Sequence, residues 1–333
     1  MPAEVAVIGA GSWGTALAAL LAAKLPRVTL WCLEAEVAEG INRSQRNPLY
    51  VSEFSLPANL RAETDLHHVV ANHRILVLVV PTPFVRRILA SLVTVAHPDT
   101  LFVFASKGVE IETLTLISEI FAELFGAAGM QRACFLSGPS FAREVLQGLP
   151  TAVVIAGQNG SVVQQMQRLF QAPHFRTYGS EDVIGVELGG ALKNVIALAA
   201  GVSDGLGFGN SARAALLTRG LAEMVRLGVC MGAQAETFSG LSGMGDLLLT
   251  ATSPLSRNYT VGWRLGQGES LESIQQGARE VAEGVKTTVS VRRLAVQKGV
   301  EMPIATAVYE ILYENRSPHA VVKALMEREL KAE

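Results

Sequence analysis

The sequence predicts an α/β fold: a doubly wound parallel sheet in the N-terminal part, followed by an all-α C-terminal part. Short, continuously apolar segments recur through roughly the first 180 residues, with helix-compatible stretches between them. Such runs are typical of strands that are buried on both faces, since half-exposed strands alternate. Beyond about residue 180 the apolar spacing becomes helical. We therefore expect a sheet domain over residues 1–180 and a helical domain over residues 181–333.

The predicted elements follow one another in a simple order. After a β-branched run that starts at residue 4, the sheet strands are expected at Val28–Cys32, Ile75–Val80, Leu101–Ala105, Cys134–Leu136 and Ala152–Ala156. The helices of the second half are expected at Val183–Val202, Ala212–Met231, Val285–Lys298, Thr306–Tyr313 and Pro318–Glu329. Ser317 before Pro318 predicts an N-cap, because the hydroxyl can accept an otherwise unpaired N–H and proline carries none at the first helical position.

The composition limits the number of domains and the kinds of ligand that we expect for this chain. The chain has 333 residues, enough for two domains, and 49% of them are hydrophobic, which is ample for sizeable cores. The formal net charge of −2, with both signs mixed, provides no basic field for nucleic acid or an anionic membrane. An anionic ligand would therefore have to be held by a few local cations.

Cysteine usage and the N-terminus point to a cytoplasmic protein. Cys32, Cys134 and Cys230 are odd in number and lack C-x-x-C spacing, which argues against a disulfide framework or a metal site. The chain opens almost at once with a strand and lacks a basic n-region and a cleavage site. Its longest apolar runs are judged too short to span a bilayer.

A glycine-rich turn follows the first predicted strand directly. Residues 4–23 place a β-branched run against G-x-G-x-x-G at Gly9, Gly11 and Gly14, and a helical run begins near Ser12. Gly9 would permit a tight turn, Gly11 would let the backbone approach a pyrophosphate, and Gly14 would let helix pack on strand. The helix N-terminus would then face the anion. The alternative is a plain glycine-rich turn of an α/β protein.

Lys193 lies inside an otherwise apolar helical run. Its helical neighbours are Gly189, Gly190, Ala197 and Ala200, so one ammonium is surrounded by almost no side-chain bulk. Two successive mid-helix glycines cost roughly 1 kcal/mol each relative to alanine, which indicates that another group approaches closely. Such a face can admit a small ligand. The alternative is a lysine that reaches solvent across small residues used for helix packing.

Two polar segments stand at the ends of predicted strands. Lys107, in Ser-Lys-Gly at 106–108, is expected at the carboxyl edge of the sheet, where ligands of open α/β sheets bind. A solvated surface lysine is the other interpretation. Residues 136–142 turn from a strand into a helix through small residues that leave backbone N–H groups accessible, although an ordinary N-cap turn explains them equally well.

Two further polar groups lie in the helical half. Asp246, between glycines and an apolar run, is a candidate functional carboxylate, with helix capping as the alternative. The Ser-Arg-Asn turn at 256–258 offers a hydroxyl, a planar guanidinium and an amide, which suit phosphate oxygens.

Taken together, these segments resemble the NAD(P)-dependent glycerol-3-phosphate dehydrogenases of bacteria, nearly end to end and in register. The matching pieces are GAGSWGTALA at 9–18, NPLYV at 47–51, SKG at 106–108, SGPSFAREV at 137–145, VELGGALKNVIALAAG at 186–201, TRGLAEM at 218–224, GMGDL at 243–247, SRNYTVG at 256–262 and VAEGVKT at 281–287. The resemblance implies a Rossmann-type N-terminal domain and a helical C-terminal domain, in agreement with the pattern above.

The resemblance also implies an activity and a set of site residues. The reaction would be reversible hydride transfer between a nicotinamide and C2 of glycerol 3-phosphate, whose ketone is dihydroxyacetone phosphate, supplying the phospholipid backbone. Lys193 would be the general base, oriented by Asp246. Substrate contacts would fall on Lys107, Gly138, Ser140, Lys193, Asp246, Ser256, Arg257 and Asn258. Cofactor contacts would fall on Gly9, Gly11, Ser12, Trp13, Gly14, Lys107, Ala142, Arg257, Val281 and Glu283.

The choice between NAD and NADP stays open at this level. Family members that favour the 2′-phosphate often carry Arg or His just after the second strand, where this chain has Cys32 and Leu33. Glu34, about 20 residues past the glycines, could accept a hydrogen bond from a ribose 2′-hydroxyl and so favour NAD. Arg43 and Arg46 lie close enough in sequence to leave NADP use open.

Two other functions compete with this one. A two-domain dehydrogenase acting on another hydroxy acid or on ketopantoate would share the glycine loop and a helix lysine, but not the Ser-Arg-Asn phosphate site at 256–258. A dinucleotide-sensing binding module would need no proton donor, so Lys193 argues against it. A small-molecule substrate, no nucleic acid, no stable membrane insertion and no metal are expected, and a homodimer is compatible with the sequence.

Overall fold

The protein, a computed structural model, is described here for residues 5–276 and 282–329. It divides into two compact units. The first comprises Met1–Lys107 and Ile117–Val186, and the second comprises Gly108–Leu116 and Glu187–Glu333. The short segment Gly108–Leu116 thus groups with the second unit, whereas the sequence-based ranges place it with the sheet.

The first unit is built on one eight-stranded sheet. Its strands β1 to β8 are Val5–Ile8, Val28–Trp31, Leu60–Glu63, Ile75–Leu78, Leu101–Phe104, Ala133–Ser137, Thr151–Ala156 and Phe175–Ser180. The spatial order is β3-β2-β1-β4-β5-β6-β7-β8, and every neighbouring pair is parallel except the antiparallel pair β6–β7. The predicted doubly wound α/β sheet is confirmed. Strands β3 and β8 escaped prediction because buried and exposed residues alternate along them.

Helices cover the sheet and make up most of the second unit. Helices α1 to α7 are Ser12–Ala22, Ala35–Ser44, Leu66–Ala71, Thr82–Leu92, Ile117–Met130, Ala142–Leu146 and Gly160–Phe170. Helices α8 to α16 are Val183–Gly205, Asn210–Cys230, Ala235–Phe238, Asp246–Thr252, Arg257–Gly266, Leu271–Gln275, Glu283–Lys298, Pro303–Tyr313 and Pro318–Met326. A π-helical turn, Leu241–Gly245, precedes α11. The predicted helical C-terminal domain is confirmed.

Each face of the sheet buries its own apolar core. One core packs α1, α2 and α7 on the sheet, and the other packs α3, α4 and α5 on the opposite face. The second contains a cluster of aromatic rings with centroids 4.5–6.4 Å apart, formed by Phe102, Phe104, Phe121, Phe125 and Phe135. Aromatic pairs at such distances contribute beyond the area that they bury. These cores hold the carboxyl ends of the strands in place.

One local prediction is confirmed only in part, and another is wrong. Ser317 occupies the N-cap of α16 with Pro318 in its first turn, but the Ser317 side chain makes no capping hydrogen bond. Helix α8 has 23 residues, and its most apolar 18-residue stretch has a mean hydropathy of 1.6, so it is long and apolar enough to cross a membrane, contrary to the expectation from the apolar runs. A lysine and a glutamate interrupt this apolar run, but they do not lower its mean hydropathy below that of a helix able to span a membrane. Since 89% of its most apolar stretch is buried inside the protein, α8 has the environment of a core helix.

Glycines let α8 and α12 cross in very close contact. A Cβ atom on Gly201 would lie 2.1 Å from Tyr259 O, and one on Gly262 would lie 2.1 Å from Leu198 O. Both distances are far below van der Waals contact and involve backbone atoms, which cannot move aside cheaply. The crossing therefore fixes α12, which begins at Arg257, against α8, which carries Lys193.

A buried carboxylate adds a second link to this crossing. Asp204 on α8 accepts hydrogen bonds from Arg213 on α9, at 3.0 and 2.7 Å, and from the Tyr259 hydroxyl on α12, at 2.7 Å. Burial, followed by the hydrogen bond to Asp204, raises the pKa of Tyr259, so the phenol keeps its proton as a donor. Three helices of the second unit are thereby joined at one side chain.

Another buried acid, Glu223 on α9, caps a neighbouring helix. Its side-chain oxygens accept the backbone N–H groups of Ile304, at 2.7 Å, and of Ala305, at 3.1 Å, in the first turn of α15. Glu223 is only 1% exposed, and burial raises the pKa of this carboxyl to about 7. The two backbone donors and the charges of Arg226 and Arg328 oppose this shift. This explains why the segment TRGLAEM contains an acid on a buried face.

We expect Glu223→Gln to flatten the pH dependence of stability. Because the folded pKa of about 7 exceeds the ordinary value of 4.5, the folded state binds the extra proton between these pH values. The stability that this proton provides is fully present below about pH 4.5 and is lost as the pH rises through 7. Relative to Glu223→Gln, the native chain should lose up to about 3 kcal/mol of unfolding free energy across that window.

Urea unfolding of both proteins at pH 5, 6, 7 and 8 measures this difference. Glutamine keeps an oxygen acceptor for the first turn of α15 but cannot ionise. If the unfolding free energies of the two proteins ran parallel over the whole pH range, Glu223 would not titrate in the folded state as the burial of its carboxyl requires.

Candidate active site

The glycine loop of the first unit has the geometry that a pyrophosphate requires. Gly9 has a φ of +115°, and a Cβ atom there would lie 2.7 Å from Val79 O. A Cβ atom on Gly14 would lie 1.8 Å from Gly9 O, so helix and loop pack as closely as glycine allows. No atom of the described residues lies within 4 Å of the Cβ position of Gly11, and α1 begins at Ser12 without a side-chain cap. An open approach to an uncapped helix N-terminus fits a bound dinucleotide.

The predicted residues at the carboxyl ends of β5 and β6 lie together. The Lys107 ammonium donates a hydrogen bond to Gly138 O at 3.4 Å, and the Ser140 hydroxyl donates to the same carbonyl at 3.0 Å. Gly138 has a φ of +132°, a conformation that favours glycine. Ala142 starts α6, which packs against α1. One cation, one hydroxyl and a helix start are therefore grouped at this edge of the sheet.

Trp13, in the first turn of α1, carries a polar atom that the fold of the first unit does not satisfy. Its side chain packs against the core beneath the sheet, and its indole N–H is buried without a hydrogen-bond partner among the described residues. Buried hydrogen-bond donors are normally paired. The Trp13 indole N–H beside the glycine loop is therefore available to donate a hydrogen bond to another group.

In the second unit, Lys193 is held by two side chains of α11. Its ammonium donates to Asp246 Oδ1 and to Thr250 Oγ1, both at 2.7 Å, and Thr250 Oγ1 donates to Asp246 Oδ1 at 3.2 Å. Lys193 is 7% exposed and Asp246 is 1% exposed. The alternative of a lysine that reaches solvent is wrong, because its charge is buried and paired inside the unit.

Gly189, one of the small residues beside Lys193, serves helix packing. A Cβ atom on Gly189 would lie 2.5 Å from Ser242 O, in the π-helical turn before α11. The group that approaches Gly189 is therefore backbone. This close approach brings the start of α11 next to α8, and Asp246, the first residue of α11, reaches Lys193 as a result.

The Ser-Arg-Asn turn is used partly by the fold. Ser256 caps α12, since its hydroxyl oxygen accepts the backbone N–H of Tyr259 at 3.2 Å. The Asn258 amide donates to Asn194 Oδ1, at 2.9 Å, while its oxygen accepts the N–H of Gly284 at 2.9 Å. The amide thus joins three helices. The third predicted group, the Arg257 guanidinium, is exposed at the start of α12.

Of the two remaining predicted cofactor contacts, Glu283 lies at the start of α14. Glu283 is the first residue of this helix, and Gly284 follows with the N–H that Asn258 accepts. Val281 lies outside the described residues.

Sequence reasoning missed Thr250 and Asn194. Thr250 follows Asp246 by four residues, the spacing that places two side chains on one helix face, so this signal was available. Asn194 directly follows Lys193, and nothing in the sequence separates it from a packing residue. Both residues make their contacts only where α8, α11 and α12 pack together.

Two sequence models of one family cover the chain. That of the NAD-dependent glycerol-3-phosphate dehydrogenase N-terminus matches residues 4–163, and that of the corresponding C-terminus matches residues 182–323. The chain belongs to the NAD-dependent glycerol-3-phosphate dehydrogenase family. The family assignment covers both units, which agrees with the resemblance identified in the sequence.

Curated relatives and a solved structure agree with the family. A glycerol-3-phosphate dehydrogenase [NAD(P)+] of Syntrophotalea carbinolica is 51% identical over 99% of this chain and 99% of its own length. One of Geobacter metallireducens is 52% identical over 100% and 99%. The crystal structure of a glycerol-3-phosphate dehydrogenase from Coxiella burnetii matches with a TM-score of 0.93 and 37% identity, covering 98% of this chain and 99% of that one.

Proposed function

We propose that this protein is an NAD(P)-dependent glycerol-3-phosphate dehydrogenase, an oxidoreductase that interconverts glycerol 3-phosphate and dihydroxyacetone phosphate. The observation that carries the proposal is the buried Lys193–Asp246–Thr250 cluster, found in a chain of this family that also has an open glycine loop. A binding module has no need of a buried, oriented ammonium. The product would supply the glycerol backbone of phospholipids.

The first unit would hold the dinucleotide. Gly9, Gly11 and Gly14 leave room for the pyrophosphate, whose charge the N-terminus of α1 from Ser12 and Trp13 would stabilise. When bound, the nicotinamide supplies the hydride acceptor or donor. Further contacts of the cofactor would fall on Lys107, Ala142, Arg257, Val281 and Glu283.

Lys193 would move the proton that accompanies the hydride. During oxidation its neutral amine would take the proton from the C2 hydroxyl, and during reduction its ammonium would return a proton to the C2 oxygen. Asp246 and Thr250 direct Nζ through hydrogen bonds of 2.7 Å each, which limits the rotation of a long and flexible side chain. Asp246 and Thr250 would thus contribute by orienting the proton donor, Lys193.

The phosphate of the substrate would be recognised by a few local cations and donors. The Arg257 guanidinium suits bidentate binding of phosphate oxygens. The other expected substrate contacts are Lys107, Gly138, Ser140, Ser256 and Asn258. Ser256 and the Asn258 oxygen already accept backbone N–H groups at the starts of helices. Arg257 would therefore make most of the contribution to recognising the charge of the substrate phosphate.

A comparison of ketones tests the proposed function. Dihydroxyacetone phosphate should be reduced with a kcat/KM at least about a hundredfold above that of unphosphorylated dihydroxyacetone, because binding energy from the phosphate orients the reacting carbon. The measurement is the absorbance change as NADH or NADPH is oxidised. Ketopantoate is tested as a further substrate. Equal turnover of dihydroxyacetone phosphate and unphosphorylated dihydroxyacetone, or faster turnover of ketopantoate, would refute the assignment.

We also propose a cytoplasmic protein without stable membrane insertion. The mixed surface charges and the burial of α8 support this expectation. A homodimer is the assembly to test, and light scattering would then give a mass near twice 35.4 kDa.

A further inference from the structure

The chain passes from the first unit to the second directly after Lys107 and returns to the first unit at Ile117. The residues between these two points, Gly108–Leu116, group with the second unit, and we call them the connecting segment. Lys107 is covalently joined to the start of this segment. Any group that fixes the connecting segment therefore also limits where the backbone of Lys107 can lie.

The connecting segment is closed on itself around Glu110. The backbone N–H of Glu110 donates to Thr115 O, and that of Leu114 donates to Glu110 O, both at 3.0 Å. The Glu110 carboxylate accepts hydrogen bonds from the hydroxyls of Thr113 and, at 3.4 Å, of Thr115. Leu114 has a φ of +62°, which is uncommon for a residue other than glycine. These bonds hold the segment in one defined shape rather than as a slack linker.

Two side chains of α14 bind this segment. The Ser290 hydroxyl, which is fully buried, donates to Val109 O at 2.9 Å. The Arg293 guanidinium donates to Ile111 O at 2.6 Å. Ser290 and Arg293 lie three positions apart in the helix, so they share one of its faces. Helix α14 thus holds two carbonyl groups of the segment, and the first of them is only two residues beyond Lys107.

Helix α14 is itself fixed within the second unit. The N–H of Gly284 donates to Asn258 Oδ1 at 2.9 Å, and a Cβ atom on Gly284 would lie 2.7 Å from Asn194 O. Further along the first turn, Val285 O accepts the hydroxyl of Tyr313, on α15, at 2.9 Å. One helix therefore connects the Ser-Arg-Asn turn at 256–258 to the connecting segment.

Resting on the proposed function, we infer that Ser290 and Arg293 position Lys107 for the substrate through the connecting segment. Each peptide unit is planar, so only a few soft dihedral angles separate the Val109 carbonyl from the Cα atom of Lys107. A fixed backbone reduces the volume that a long lysine side chain can sample, and this favours a productive placement of its ammonium. Ser290 and Arg293 are positioning residues, because they act on the substrate through Lys107.

The double variant Ser290→Ala with Arg293→Gln tests this inference in the full-length protein. It removes both donors to the connecting segment, so kcat/KM for dihydroxyacetone phosphate should fall by about tenfold, because small displacements of a binding group are costly. Lys107 is expected to bind the substrate and not to move its proton. The loss should therefore appear mainly as a higher KM, measured from NADH absorbance at varied ketone concentration.

Two matched controls separate positioning from loss of stability. Thr288→Val deletes another fully buried hydroxyl of α14, one that donates to Gly284 O within the same helix at 2.7 Å. Arg292→Gln removes the same charge as Arg293→Gln from the preceding residue. Urea unfolding should show similar losses for Thr288→Val and Ser290→Ala, since each removes one buried hydrogen bond. Both controls should nevertheless keep the native KM.

A double-mutant cycle with Lys107→Met identifies the residue through which the anchors act. If Ser290 and Arg293 act through Lys107, their replacement should have no further effect on kcat/KM once Lys107 is methionine. Fully additive losses would show that the two anchors act elsewhere and would overturn the inference. Native kinetics in the double variant would overturn it as well. The single variant Arg293→Gln changes an exposed side chain and provides the same test if Ser290→Ala does not fold.

The inference and the function on which it rests fail in different ways. Additive losses, or an unchanged KM in the double variant, are observed with a native protein that reduces dihydroxyacetone phosphate, so they leave the dehydrogenase assignment intact. Failure of the native protein to reduce this ketone would overturn the proposed function and the inference together.

Discussion

Replacing Lys193 with methionine is expected to abolish hydride transfer while dinucleotide binding persists. Methionine roughly preserves the length of the side chain but has no proton to transfer, so kcat should fall by at least about a hundredfold, the usual minimum for a general acid or base. Pre-steady-state measurement of NADH oxidation reports the chemical step. Fluorescence titration with NADH checks that the glycine loop of the first unit still binds.

The buried partner of Lys193 has to be considered in this experiment. Removing the ammonium leaves Asp246 buried without its ion pair, which costs about 3–5 kcal/mol when a charge remains uncompensated. The double variant Lys193→Met with Asp246→Asn removes that charge and keeps the unit folded. If both variants lose turnover, the loss follows from the missing proton donor and not from unfolding.

Two further variants sharpen the conclusion. Lys193→Arg keeps the charge but cannot deprotonate near neutrality, so it should be as inactive as the methionine variant. Lys298→Met changes an exposed lysine at the end of α14 and should be fully active. Retention of even a tenth of native hydride transfer in Lys193→Met would show that Lys193 is a packing residue.

Gly262→Ala is expected to be among the most damaging single methyl additions in the second unit. The new Cβ atom would lie 2.1 Å from Leu198 O, so α12 and α8 would have to separate. Overpacking of this kind costs typically 1–3 kcal/mol, and we expect about 3 kcal/mol because the obstacle is backbone. Denaturant unfolding measures the loss, and KM for dihydroxyacetone phosphate should rise, since Arg257 moves with α12.

Gly160→Ala is the matched control. This glycine is the first residue of α7, and in the part of the chain that the structure describes no atom lies within 4 Å of its Cβ position. Alanine is the better helix former by about 0.5–1 kcal/mol, so this variant should be neutral or slightly stabilised. Equal effects of the two substitutions would mean that helix propensity, rather than the α8–α12 crossing, decides the stability at Gly262.

Much of the site could be anticipated because its signals are local. The glycine spacing at 9–14 follows a strand and opens a helix within a few residues, so backbone geometry alone restricts what it can do. Lys193 stands out against an apolar helix for a similar reason. Both signals depend on neighbours within two helical turns along the chain, which the sequence displays directly.

Other parts of the site depend on residues that are distant in sequence. Thr250 and Asp246 contact Lys193 across more than 50 positions of the chain, and Tyr50 contacts Glu34 from a segment that Asn47 joins to the glycine loop. Nor could the sequence tell that the small residue at Gly189 admits the backbone of Ser242 rather than a ligand. Such contacts depend on how the helices cross, and no short stretch of the sequence contains that information.

Fold class, glycine loop and family could all be predicted from the amino-acid sequence, because periodicity and motif order are properties of the chain alone. Strands β3 and β8 and the partners of Lys193 were decided by tertiary structure. An edge strand needs only a neighbour to complete its hydrogen bonds, and a buried ammonium needs only a carboxylate within reach. Both needs are met by elements that folding brings together, so only the assembled units reveal which residues meet them.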